Sequence, residues 1–145
     1  MLTITLFHGS ANSRPYGVVV NQVLQRAARA VSSQGAVAVS FISDQKMRKL
    51  NRTYRGKDTT TNVLSFGTET ITDDGRRTTE QHDLGDIFIS LSVAKKEAKQ
   101  YRWTMHYAIA RLALHGFLHL LGYDHVKDND AEVMEGIEKR LLKNI

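Results

Sequence analysis

Residues 104–121 constrain the fold most. Met105, Ile109, Leu112, Ala113, Gly116, Phe117 and Leu120 recur at helical spacing and make a continuous apolar face. A helix this apolar has to be covered by the rest of the chain. It also carries His115 and His119, four residues apart, so their imidazoles project from one face about one turn apart. Gly122 can adopt a left-handed conformation, end the helix and turn the chain back, bringing His125 round towards the other two. Three imidazoles around one point, with a fourth position open, is the layout of a catalytic zinc site. The plain alternative is three histidines, each hydrogen-bonded separately.

Composition narrows the chemistry. The sequence has no cysteine, which excludes disulfides and cysteine-based zinc fingers, so a metal would be held by His, Asp or Glu. Neutral imidazole suits zinc first, with nickel, copper or iron also compatible. A net charge of +5 suits a polyanionic partner without establishing one. No apolar run approaches the ~20 residues that cross a membrane. The start, Met1-Leu2-Thr3-Ile4-Thr5-Leu6-Phe7, alternates like a strand rather than a signal peptide, so a cytoplasmic location is expected.

The other elements follow from periodicity and caps. Strands are expected over 2–7, 36–42, 63–66 and 84–91. Val19, Val20, Val23, Leu24, Ala27 and Val31 predict a helix over about 15–33, capped by Ser13 with Pro15 in its first turn. A short helix over 44–53 is capped by Ser43 or Asp44, and a third, to about 101, by Ser92. Asp128 and Asp130 open a last helix with Val133, Met134, Ile137 and Leu141 inward. Residues 67–83 read as an exposed loop or hairpin. The sum is one α+β domain over 1–145, with a four-stranded sheet of undetermined strand order and about five helices.

The spacing H-x3-H-x2-G-x2-H is similar to that of metzincin proteases. Those enzymes place a Glu base directly after the first His, and here Gly116 stands there, which argues against a protease. Two carboxylates are candidates for a supporting role. Asp124 can orient an imidazole or cap the turn after Gly122, and Asp86, expected to begin its strand, can point at the site or lie at the sheet end. His8 and His82 are expected in solvated loops, and His106 on the far side of the helix.

Three blocks carry a family resemblance. They are His115-Gly116-Phe117-Leu118-His119-Leu120-Leu121-Gly122-Tyr123-Asp124-His125, Leu50-Asn51-Arg52-Thr53-Tyr54-Arg55-Gly56-Lys57-Asp58 with Thr61-Asn62-Val63-Leu64-Ser65-Phe66, and Leu84-Gly85-Asp86-Ile87-Phe88-Ile89. Together they resemble the YbeY family, metal-dependent bacterial endoribonucleases of ribosomal RNA maturation. The resemblance implies an α+β fold with zinc held by His115, His119 and His125 at one end of a positive groove. It implies a catalytic site at His115 with a functional arginine at Arg55, which by itself reads equally as a surface arginine. It further implies action on the 3′ end of small-subunit ribosomal RNA, a part in ribosome quality control, and ribosomal proteins and a GTPase as partners. Arg55 would hold phosphate oxygens with its planar fork, and Lys57 would add attraction or merely be exposed. The family pattern departs at Thr60 and Gly67, where it has prolines, and at Asn62, where it has Asp. The rival readings are a metallohydrolase of other substrates and a non-catalytic, zinc-containing ribosome-assembly factor.

Overall fold

The computed structural model describes residues 1–9, 11–67, 69–71, 77–79, 83–123 and 128–145. His82, Asp124 and His125 therefore lie outside the described residues. The chain runs β1 (Leu2–His8), a 3-10 helix (Ala11–Tyr16), α1 (Gly17–Ala30), β2 (Gly35–Ile42), α2 (Asp44–Arg55), β3 (Val63–Gly67), β4 (Glu69–Ile71) and β5 (Arg77–Thr79). It continues with β6 (Asp83–Ser90), α3 (Leu91–Tyr101), α4 (Met105–Leu120) and α5 (Asp128–Leu141).

The main sheet has the order β1-β2-β6-β3. β1, β2 and β6 are parallel, and β3 closes one edge antiparallel to β6. β4 and β5 pair antiparallel in a separate two-stranded sheet, within the stretch expected as loop or hairpin. Val37, Val39, Phe41, Ile87 and Ile89 are buried on the face that α1 and α4 cover. The other face carries Leu64, Phe66 and Phe88, packed with Met47 and Leu50 of α2. α4 is the core helix: nine of its side chains or Cα positions from Ala108 to Leu118 are buried. Among the described residues no helix is long and apolar enough to cross a membrane.

Several boundaries differ from expectation. The first long helix is split: Pro15 sits inside the 3-10 helix and α1 proper runs from Gly17 to Ala30. Ser13 does not cap it, because its buried hydroxyl lies 2.5 Å from His8 Nδ1. His8 is accordingly not a solvated loop residue; it ends β1 and stacks on Phe41 with ring centres 5.5 Å apart. α3 is capped by Ser90 rather than Ser92, since Ser90 Oγ accepts from the Val93 N–H at 3.2 Å. Ser90 Oγ also donates to Asp44 Oδ1 at 2.9 Å, which ties the sheet end to α2. Val133, expected inward, is 51% exposed. His106 is exposed and meets Tyr16 edge-on.

Candidate functional site

α4 ends in a Schellman motif. The Tyr123 N–H bonds to Leu118 O at 3.1 Å and the Gly122 N–H to His119 O at 3.0 Å. Gly122 adopts φ +96°, a region that favours glycine, and turns the chain immediately after the two histidines.

His115 and His119 converge as their spacing requires. Their Nε2 atoms are 3.0 Å apart and their ring centres 4.6 Å. Two nitrogens bound to one tetrahedral zinc at about 2.0–2.1 Å would lie roughly 3.3 Å apart, so the pair needs only a slight opening to share an ion. Imidazole nitrogens without competing thiols are a donor set that fits zinc. His115 Nδ1 lies 3.2 Å from Glu138 Oε1, a carboxylate of α5 that is 9% exposed. A carboxylate at that distance favours the tautomer in which Nδ1–H donates to Glu138 and Nε2 is the acceptor turned towards His119.

Position 116 faces the sheet. A Cβ built there would stand 2.8 Å from Ile87 Cγ2, 2.9 Å from Ser65 Oγ and 3.3 Å from Val63 Cγ2. The same contact brings the Ser65 hydroxyl to donate to Gly116 O at 3.0 Å. The glycine that replaces a protease's glutamate is thus where α4 seats on β3 and β6.

The histidines open onto a groove of about 720 Å³ that wraps the β3 edge. Arg55, Asn62, Ser65, His115 and His119 are among its lining residues. Arg55 occupies the last turn of α2, which Gly56 ends at φ +68°. Just beyond, Asp58 is clamped by Arg48 at 2.9 and 3.1 Å, with Arg52 at 3.8 Å. The Arg48 hydrogen bond holds the Asp58 carboxyl below its ordinary range, aided by the charges of Arg48 and Arg52. The clamp occupies those two arginines, while Arg55 is exposed and lines the groove together with the histidines. Asn62 donates to Glu97 Oε1 at 2.9 Å while its Oδ1 accepts from the Val63 N–H at 2.8 Å. A carboxylate at 62 would meet Glu97 without that donor.

Not every singled-out residue reaches the groove. Lys57 is exposed and outside its lining. Asp86 does not begin its strand, which starts at Asp83. It pairs with Phe66 and, by strand alternation, lies on the α2 face of the sheet, opposite the histidines. Burial, and then the neighbouring Asp83, raise its carboxyl above the ordinary range. Glu138 is the residue that sequence reasoning missed. It falls four after Met134 and three before Leu141, so a carboxylate stood on the inward stripe of α5.

The sequence model of the family Endoribonuclease YbeY matches residues 8–145. The chain belongs to the YbeY family. The Endoribonuclease YbeY of Staphylococcus carnosus is 36% identical over 137 residues, spanning 94% of this chain and 90% of that protein. The Endoribonuclease YbeY of a Geobacillus strain is 39% identical over 133 residues, spanning 86% and 83%. A solution structure from Thermotoga maritima shares the fold with a TM-score of 0.66 at 23% identity, covering 99% of this chain and 87% of that one. Within a YbeY-family chain, the block around Arg55 and the histidine run meet in one groove.

Proposed function

We propose that this chain is a zinc-dependent endoribonuclease that cuts single-stranded RNA in the groove between β3 and the end of α4. The observation that carries the reading is Arg55 lining the same groove as the converging His115 and His119. The relatives named Endoribonuclease YbeY supply the substrate class. In this reading the substrate is small-subunit ribosomal RNA near its 3′ end, in the cytoplasm, with a role in ribosome quality control. Ribosomal proteins and a GTPase are the expected partners.

His115, His119 and His125 would hold the metal, which when bound supplies Lewis-acid polarisation of the reacting phosphate. Arg55 would grip non-bridging phosphate oxygens through two parallel N–H donors, and so stabilise the charge that builds there during cleavage. Glu138 fixes the His115 tautomer so that Nε2 faces the groove. Asp124, next to His125 in sequence, is assigned the same kind of supporting part. A protease would need its base at position 116, and that position faces Val63, Ser65 and Ile87.

The test uses His115→Ala and Arg55→Ala, each checked for folding by circular dichroism, in a single-stranded RNA cleavage assay. Each loses about a hundredfold or more of the activity. Two variants that cleave as fast as the parent chain refute the proposal.

A further inference from the structure

The far end of α4 carries a second cluster, outside the groove. Tyr101, the last residue of α3, stacks on Trp103 with ring centres 4.7 Å apart and 26° between planes. Tyr107 tilts against Trp103 at 5.3 Å, and the Arg111 guanidinium carbon sits 5.1 Å from the Trp103 ring centre. Arg102, between the stacked rings, adopts φ +58° and turns the chain so that they meet. The Trp103 N–H donates to Ala98 O at 2.9 Å and fixes that turn.

The core does not require this arrangement on its outer side, because Tyr101 leaves 54% of its surface exposed. The rings have cations beside them: Lys99 and Arg102 are exposed, and Arg111 backs Trp103. Glu97, the acid of the preceding turn, is engaged by Asn62. Tyr107 and Arg111 of the cluster share α4 with the histidines. Tyr107 stands eight residues before His115 on that helix, so the cluster lies roughly 12 Å along the axis from it.

We propose that Tyr101 and Trp103 form a base-stacking subsite for single-stranded RNA, with Arg102 and Arg111 as its cations. The inference rests on the RNA reading above and extends it to a second point of contact. The exposed Tyr101 ring, with Trp103 stacked against it, takes any base, and neighbouring arginines serve the backbone. Charge selects this occupant over a second copy of the chain, which at +5 would bring like charge to a cationic patch.

The sequence supplies its own probe, because Trp103 is the only tryptophan. The full chain, with chelator present to stop cleavage, is titrated with an oligoadenylate of about 12 nucleotides, a length within single-strand site sizes. Binding quenches Trp103 emission. Tyr101→Ala weakens binding about tenfold, whereas Tyr101→Phe preserves it. In cleavage of a long single strand, Tyr101→Ala raises KM by a similar factor and leaves kcat unchanged. Unchanged emission, or equal affinity in Tyr101→Ala, overturns the subsite. So does a Tyr101→Ala variant that alters only self-association in sedimentation, which would assign the patch to a second copy. Cleavage without quenching removes the subsite alone. Quenching without cleavage by the parent chain removes the endoribonuclease reading and leaves the subsite standing.

Discussion

Glu138 shows how one carboxylate can set the chemistry of a site it does not line. An acid that is 9% exposed is costly to bury unless it is hydrogen-bonded, and His115 Nδ1 at 3.2 Å supplies a bond. The bond also works in the other direction, since it fixes which imidazole nitrogen carries the proton and holds the ring plane. Glu138→Ala is expected to lower zinc affinity about 10- to 100-fold, measured by competition with a chromophoric chelator. Glu138→Gln keeps an acceptor oxygen and loses less. An affinity in Glu138→Ala equal to the parent's would leave Glu138 a packing residue only. Arg55 is in the opposite situation: an exposed residue that lines the groove itself, with its neighbours Arg48 and Arg52 committed to Asp58.

At the scale of elements, α4 joins the core to the groove, and Gly116 sets how closely it approaches the sheet. Gly116→Ala drives a methyl to within 2.8 Å of Ile87 and 2.9 Å of Ser65, so it is expected to cost about 1–3 kcal/mol in urea unfolding. A stability equal to the parent's would mean that β3 yields freely and that the seat is loose. α4 was legible in the sequence for local reasons. Its apolar period is unbroken, and Thr104 and Gly122 punctuate it at both ends. The convergence of His115 and His119 followed from spacing alone. The start of α1 was not legible, because a 3-10 turn over Ala11–Tyr16 takes up Ser13 and Pro15, and the Ser13 hydroxyl meets His8 instead. Ser90 and Ser92 are chemically equal caps, and Ser90 is the one that the end of β6 holds in extended backbone directly before Leu91, where its hydroxyl meets the Val93 N–H. The order β1-β2-β6-β3 and the meeting of Glu138 with His115 are contacts between distant residues, which periodicity does not encode.

At the scale of the molecule, the two faces of the sheet have separate duties. One face packs α1 and α4, while the other packs α2, and two carboxylates, Asp86 on that face and Asp44 at the start of α2, are pushed in opposite directions. Asp86 is raised, by burial first and by Asp83 second. Its folded value lies above the ordinary ~3.9, so its contribution to stability is present below that pH and lost as pH rises through the folded value. Near neutrality the ionised group opposes folding. Asp44 is lowered, by a hydrogen bond from Ser92 first, with Ser90, Lys96 and Thr60 adding to it against some desolvation. Its contribution is present above the ordinary value and lost as pH falls through the lowered one. Asp86→Asn is therefore expected to raise the melting temperature at pH 7, and Asp44→Asn to lower it. Both differences from the parent should close as the pH drops below the carboxylate range, when each parent side chain is as neutral as its replacement. Calorimetric scans across that range check the sign at each site separately. A fall in melting temperature for Asp86→Asn at pH 7 would show that a favourable partner holds the carboxylate in its charged form, and that burial on the α2 face does not strain it.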